Sequence, residues 1–207
     1  IPTTGPAPQN LSLATYDNLH INPSAGNTII LPASNLTIHN TLTKSGAGTT
    51  VTNGTRTINI TANLDVSGGA FNFSNAAASA TTLTVGGNTT VGTGATFGVE
   101  LAGSVNTNTL STTGSITNNG TISFRSNSVV NVTFTGSNNV NFNGTGTVAA
   151  SPLGTTLNLI TVNKGSSQTP TVDFSVGGTV TTTAVAAGWL TLTNGTFNFN
   201  NSQSYTI

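Results

Sequence analysis

Apolar and polar residues alternate in short groups along the chain. The clearest groups lie between Asn35 and Phe73 and pair as Leu36/Ile38, Ile58/Ile60, Leu64/Val66 and Phe71/Phe73. A spacing of two residues is typical of β-strands that bury one face. Gly, Asn, Ser and Thr separate the groups, and no stretch combines helical spacing with good helix formers. The pattern therefore predicts an all-β chain of very short strands.

A short phrase that contains Asn, Leu and a β-branched residue recurs within this pattern. Copies begin at Asn35 and Asn63, and a looser copy begins at Leu83. Short strands that repeat with turns between them suit a parallel β-solenoid, in which each strand stacks on its equivalent in the next coil. A β-sandwich is the alternative, although its strands are longer and are joined by hairpin turns. We predict an elongated, parallel, right-handed β-solenoid in which asparagine side chains form hydrogen-bonded ladders along the axis.

The chain is predicted to form one domain. Its first 14 residues contain Pro2, Pro6 and Pro8, which favour an extended lead-in or linker. Residues 15–207 show no shift in composition that would mark a boundary, so they are assigned to a single solenoid. The alternation continues through Tyr205 and Ile207. We therefore expect the chain to be part of a longer polypeptide, whose further coils are its first partners.

Composition excludes several functional classes. Only 4% of the 207 residues are charged, and the formal net charge is zero. A nucleic-acid-binding protein needs a basic face, whereas Lys44, Arg56, Arg125 and Lys164 are scattered singly. No stretch supplies the roughly 20 consecutive apolar residues of a membrane-spanning helix. The chain contains no cysteine, so neither a disulfide framework nor a thiolate metal site can form.

Three segments resemble a known family: YDNLHI at residues 16–21, NLTIHNTLT at residues 35–43 and WLTLTNGTF at residues 189–197. They are similar to the repetitive β-helical regions of large cell-surface proteins and adhesins of Bacteroidota, which the type IX secretion system exports. The resemblance implies an extracellular or cell-surface location and a non-catalytic role as a structural stalk or adhesive segment. It also implies surface glycans or other cell-surface proteins as partners, and it transfers no functional residue.

Carboxylates are the first candidates for catalysis, because some β-solenoids cleave polysaccharides. The four acids are Asp17, Asp65, Glu100 and Asp173. A glycosidase pair stands about 5–10 Å apart, whereas each of these acids is alone in its segment. Asp65 and Glu100 also occupy outward positions between apolar neighbours, which favours solvated surface charges. A carbohydrate-binding or carbohydrate-cleaving β-helix protein is therefore the alternative function, and no enzymatic activity is predicted.

Histidines and hydroxyls add two weaker candidates. His20 and His39 could approach each other in stacked coils, but a metal site needs three or four ligands and no further ligand is nearby in sequence. No catalytic, cofactor-binding or metal-binding residue is therefore assigned, and no cofactor is predicted.

A flat ladder of outward threonines could also bind ice if one regular face recurred in every coil. Pairs of threonines separated by one residue recur without a constant period, so outward threonines on soluble strands are the preferred interpretation. These pairs are Thr41/Thr43, Thr55/Thr57, Thr107/Thr109, Thr133/Thr135 and Thr181/Thr183.

Overall fold

The structure is a computed structural model in which short parallel strands recur throughout the described residues. It describes residues 2–3, 9–11, 15–32, 34–52, 56–72, 80–99, 106–124, 126, 128–149, 157–177, 180–181, 188–199 and 205–206. Within these residues the chain forms strands, turns and bends, without a helix. Every strand pair is parallel.

Successive strands contribute in turn to three sheets, and one such circuit is called a coil below. Sheet 1 contains β1 (Pro2–Thr3), β4 (Leu19–Pro23), β7 (Leu42–Lys44), β10 (Leu64–Val66), β13 (Thr89–Val91), β16 (Ile116–Asn118), β19 (Val140–Gly144), β22 (Thr171–Val176) and β25 (Thr196–Phe199). Sheet 2 contains β2 (Gln9–Asn10), β5 (Thr28–Ile30), β8 (Thr49–Val51), β11 (Ala70–Asn72), β14 (Thr96–Gly98), β17 (Thr121–Ser123) and β20 (Thr147–Val148).

Sheet 3 completes each coil. It contains β3 (Thr15–Tyr16), β6 (Leu36–Ile38), β9 (Arg56–Ile60), β12 (Thr81–Val85), β15 (Thr107–Thr112), β18 (Val129–Phe134), β21 (Ile160–Asn163) and β24 (Leu190–Asn194). Two further strands, β23 (Val180–Thr181) and β26 (Tyr205–Thr206), pair with each other. Each strand thus bonds to the strand one coil away, which confirms the predicted parallel β-solenoid against the β-sandwich.

Inward side chains stack into continuous apolar columns. The central column of sheet 3 contains Leu36, Ile58, Leu83, Leu110, Val132 and Ile160. In sheet 2, Phe71 and Phe97 are in register, and their rings stack with centroids 5.8 Å apart. All of these side chains are buried. Burial of each large side chain contributes about 2 kcal/mol, so the columns supply the main stabilisation of the coils.

Asparagine side chains bond from coil to coil at the corner between sheet 3 and sheet 1. Asn63 Oδ1 accepts the backbone N–H of Asn88 at 2.8 Å, and Asn88 Oδ1 accepts that of Ser115 at 2.9 Å. The Oγ of Ser115 then accepts the N–H of Asn141 at 3.0 Å. The ladder therefore links each side chain to the backbone of the next coil, rather than one side chain to another. It satisfies amide groups that the turn leaves without a strand partner.

The repeated Asn-Leu phrase does not mark equivalent places in the coil. Leu36 and Leu83 share a column in sheet 3, whereas Leu64 lies in sheet 1 beside Leu42. Asn35 accordingly accepts the N–H of Thr57 at the corner that leads into sheet 3. The phrase therefore occurs where a turn leads into a buried strand, and it occurs at two different corners of the coil. It does not give the length of a coil.

Coil length varies mainly at one corner. Three of the four longest connections between the described strands run from sheet 2 to sheet 3, at residues 73–80, 99–106 and 149–159, and the fourth, residues 182–189, runs from β23 to sheet 3. The connections from sheet 3 to sheet 1 are as short as residues 61–63 and 86–88. Insertions between strands leave the strands stacked in the three sheets, with one shift of register between Val162 and Asn163 on β21. This explains why the sequence repeat is irregular although the stacking is regular.

The first 14 residues include two of the paired strands. β1 pairs with β4, and β2 pairs with β5. Most of the other residues in this segment lie outside the described ranges. The predicted boundary at residue 14 between a lead-in and a single solenoid domain stays a prediction.

Candidate functional site

The structure does not bring the described carboxylates together. Asp65 and Asp173 both lie on the outward face of sheet 1, but three strands separate β10 from β22. At about 4.8 Å per strand, this separation is about 19 Å. Asp17 is exposed in the bend before β4, and Glu100 lies outside the described residues. Asp173 instead accepts a hydrogen bond of 2.8 Å from the Asn198 side chain.

The two histidines occupy different parts of the coil. His20 is on the outward face of β4, in register with Thr43, and its Nε2 lies 2.6 Å from Ser45 Oγ. His39 is exposed at the corner after β6, where its N–H donates to the Tyr16 carbonyl. Stacking therefore does not align the two rings. Among the described residues, no group of three or more His, Cys, Asp or Glu side chains could hold a metal ion.

Three of the four basic residues are buried, which the sequence interpretation missed. Lys44 and Lys164 are fully buried, and Arg56 is 3% exposed. Lys44 Nζ donates to the carbonyl oxygens of Ser45, Gly46 and Gly68 at 2.9, 3.0 and 2.7 Å. Lys164 Nζ donates to the Thr135 carbonyl at 2.8 Å. Arg125 lies outside the described residues.

Arg56 has the same relationship to the backbone. Its Nη1 donates to the carbonyl oxygens of Leu31 and Pro32 in the preceding coil. Burial lowers the pKa of the Arg56 guanidinium and of the Lys164 amine, and it lowers the pKa of Lys44 from 10.5 to about 8. These cations therefore close corners of the solenoid and are withdrawn from its outer surface.

The period-two pattern contained the signal for these positions. Leu42 and Lys44 have the spacing of Leu64 and Val66, and the structure places Lys44 in register with Val66. Arg56 likewise precedes Ile58 by two residues. Extending the alternation through a charged residue would have placed it inward, with its aliphatic stem in the core and its charged end at a corner.

Outward hydroxyls form a regular row on sheet 3. The row contains Thr15, Thr37, Asn59, Thr84, Ser111, Thr133, Thr161 and Thr191. A shorter second row contains Thr57, Thr82, Thr109 and Asn131. The positions thus recur in every coil although the sequence spacing does not. The residue types are less regular, because Asn59, Ser111 and Asn131 interrupt the threonines. Among the described residues, neither row contains a charged side chain.

An open groove of about 320 Å³ lies on the outward face of sheet 2. It crosses the three neighbouring strands β11, β14 and β17. One row of its lining consists of Ala70, Thr96 and Thr121, which are in register. Asn72 and Ser123 line it beside the corner that leads to sheet 3, and Val99 and Ala149 follow at the strand ends. We call this feature the sheet 2 groove.

Comparisons with known proteins identify no relative. No protein-family model, no curated protein and no solved structure matches the chain. Across the part of the chain that the structure describes, no helix has the length and apolarity needed to cross a membrane.

Proposed function

We propose that the chain is a non-catalytic structural stalk or adhesive segment of a secreted or cell-surface protein. The observation that carries this proposal is the unbroken stacking of coils in sheet 1. Nine parallel strands lie side by side there, and at about 4.8 Å per strand they span about 40 Å along the axis. Backbone hydrogen bonds run in the direction of this axis. Such a body can hold an attached group at a distance or present a long lateral surface.

The outer surface supports the same function. Threonine, serine and asparagine form the outward rows of sheet 3, and three of the four basic residues are buried. The described carboxylates Asp17, Asp65 and Asp173 face outward, so this surface has little long-range attraction for polyanions. Its uncharged rows on sheet 3 can make many short-range hydrogen bonds with another uncharged surface. These properties suit adhesion through direct contact rather than electrostatic capture.

A carbohydrate-directed activity is the second candidate, and the sheet 2 groove favours its binding form. The groove places the neutral hydroxyls of Thr96 and Thr121 in a mainly apolar, concave setting. Cleavage has less support, because the described acids Asp17, Asp65 and Asp173 occupy separate places on the coils. The fold alone does not confer activity, so binding and cleavage need separate tests.

Labelling of intact cells tests the proposed location. An antibody raised against the chain would be applied to unpermeabilised cells that produce it, followed by gold labelling and electron microscopy. The expected result is label on the outer surface, which an added protease removes while the cells stay intact. Label that appears only after permeabilisation would contradict the proposal.

A parallel assay tests the non-catalytic part. The purified chain would be incubated with neutral and acidic polysaccharides, and the release of reducing ends would be measured. No release is expected. Turnover that Asp65→Asn or Asp173→Asn abolishes would contradict the non-catalytic proposal and would show that the chain is an enzyme.

A further inference from the structure

The sheet 2 groove lies where one outward row of sheet 2 lacks side-chain atoms. The outward row of sheet 2 reads Thr28, Thr49, Ala70, Thr96, Thr121 and Thr147 along the axis. Ala70 is the position in this row where the threonine hydroxyl and methyl are missing. The row beside it places Gly98 between Asn72 and Ser123. Of these residues, Ala70, Asn72 and Ser123 line the groove, and Ala70 lowers its floor beside Thr96.

The glycine is required by the backbone itself. Gly98 has a φ of +151°, a conformation that favours glycine. A Cβ placed there would collide with the carbonyl oxygen of Ser123 in the next coil. The backbone of β17 therefore already occupies the place that a side chain at Gly98 would take. This glycine keeps β14 and β17 close together beside the groove and does not itself leave a space in it.

The exposed lining is mainly apolar and carries a few neutral polar groups. Thr96 and Thr121 supply hydroxyls, whereas Asn72 is only 6% exposed. Val99 and Ala149 supply apolar walls. The described lining contains no charged side chain, so a charged ligand would lose hydration without gaining an ionic partner. A sugar ring offers the complementary set, because its hydroxyls donate and accept hydrogen bonds while its C–H groups contact apolar atoms.

The dimensions also fit a short linear ligand. Three strands at about 4.8 Å spacing give the floor a length of about 10 Å along the axis. The volume of about 320 Å³ is at the lower end of ligand sites. Outward groups repeat once per coil, at a spacing of about 4.8 Å. This spacing is close to the length of one hexose unit in an extended glycan. Successive sugars could thus meet equivalent hydroxyls on β14 and β17.

We propose that the sheet 2 groove binds a short stretch of a neutral polysaccharide, oriented along the solenoid axis. This inference deepens the proposed adhesive function and depends on it, since it names the chemistry of the surface to which the segment adheres. The groove is open, and its described lining has no aromatic ring on which a sugar could stack. Affinity per site is therefore expected to be weak, on the order of 1 mM. Several parallel copies would raise the overall strength of attachment.

Amide NMR on the isotope-labelled full chain tests the proposal with named probes. Cellotetraose, laminaritetraose and maltotetraose are the neutral probes, and tetragalacturonate is the acidic counterpart. The expected result is a saturable shift of the amide signals of β14 and β17 with at least one neutral probe, and no saturable shift with tetragalacturonate. Failure of all three neutral probes at millimolar concentration overturns the proposal. Shifts confined to another sheet, or an equal response to tetragalacturonate, also overturn it.

Matched variants separate the groove from the fold. Thr96→Val and Thr121→Val each remove a hydroxyl while keeping a β-branched shape, and each is expected to weaken binding about tenfold. Thr28→Val makes the same change in the same row outside the groove and is expected to leave binding unchanged. Ala70→Thr restores the threonine row, fills the floor and is expected to abolish binding with the amide spectrum otherwise intact. Unchanged binding in all of the groove variants overturns the proposal. Gold labelling of intact cells remains a separate measurement, so the groove can fail while the surface location holds.

Discussion

The Nζ of Lys44 lies 2.7 Å from the carbonyl oxygen of Gly68, one coil further along the chain. Lys44 itself sits in the inward column between Ile21 and Val66. Its stem therefore replaces an apolar side chain, while its amine joins two successive corners. Burial opposes the charge of this amine and lowers its pKa to about 8.

The lowered pKa of Lys44 predicts a rise in stability between about pH 8 and pH 10.5. Below pH 8 the amine carries its proton in both the folded and the unfolded chain, so folding includes the full cost of burying the charge. Between these pH values the unfolded chain binds more protons than the folded chain, and the free energy of unfolding therefore increases with pH. Above pH 10.5 the gain is complete. Urea unfolding at a series of pH values measures it.

Lys44→Met is the matched variant for this prediction. It keeps an unbranched apolar stem in the column and removes the titrating amine. The rise in the free energy of unfolding should be smaller in this variant than in the natural chain. The remaining rise should come from Lys164, whose pKa burial lowers in the same direction. Identical pH profiles for the two chains would show that the Lys44 amine does not control this dependence.

Two buried hydroxyls predict stabilising substitutions. Thr50 Oγ1 and Thr89 Oγ1 are buried without a hydrogen-bond partner. Thr89 lies in register between Leu64 and Ile116, so its surroundings in the column are apolar. Thr89→Val should increase the free energy of unfolding by about 1 kcal/mol, because it removes an unsatisfied polar group while keeping the branched shape.

Thr90→Val provides the control for Thr89→Val. Thr90 is the next residue on the same strand, and it is exposed. Its substitution should change the free energy of unfolding by less than about 0.5 kcal/mol. Urea unfolding of both variants gives the comparison. Destabilisation by Thr89→Val would mean that the hydroxyl has a partner in solution, such as a buried water molecule.

The alternation of apolar residues was sufficient to predict the strands and their inward faces. Leu36, Ile38, Leu64 and Val66 are all buried, and Asp65 lies on the outward face between the latter two. Phe73, which the pattern pairs with Phe71, lies outside the described residues. Alternation is informative here because each side chain has only two directions relative to a sheet. It says nothing about which of the three sheets a strand joins.

The alternation of apolar residues could not predict the length of a coil or the position of the groove. Insertions such as residues 149–159 enter at one corner, so equivalent strands are separated by unequal distances in sequence. The groove lies where Ala70 interrupts a row of outward threonines from neighbouring coils. In the sequence, Ala70 looks like an ordinary small residue. Only the register of β11 with β8 and β14 shows that it stands between Thr49 and Thr96.

The threonine rows on sheet 3 lead to a negative prediction for ice binding. Their positions are in register, which supplies the regular face that the sequence spacing did not reveal. Asn59 and Ser111, however, interrupt the long row and lack the threonine methyl. We therefore expect no thermal hysteresis in freezing measurements on the purified chain. A measurable thermal hysteresis that Thr84→Lys abolishes would instead show that this face of sheet 3 binds ice.

Leu64 and Asp65 test the assignment of strand faces most directly. Leu64 is fully buried in the column of sheet 1, whereas the next residue, Asp65, faces outward beside Thr43 and Thr90. Leu64→Asp introduces an unpaired charge among apolar side chains and should destabilise the chain by more than about 4 kcal/mol. Asp65→Asn keeps the shape of an outward side chain and should change stability by less than about 0.5 kcal/mol. Circular dichroism during urea unfolding measures both variants. Comparable losses would reject the assigned faces, because only a reversed or mobile strand would expose the two neighbours to the same surroundings.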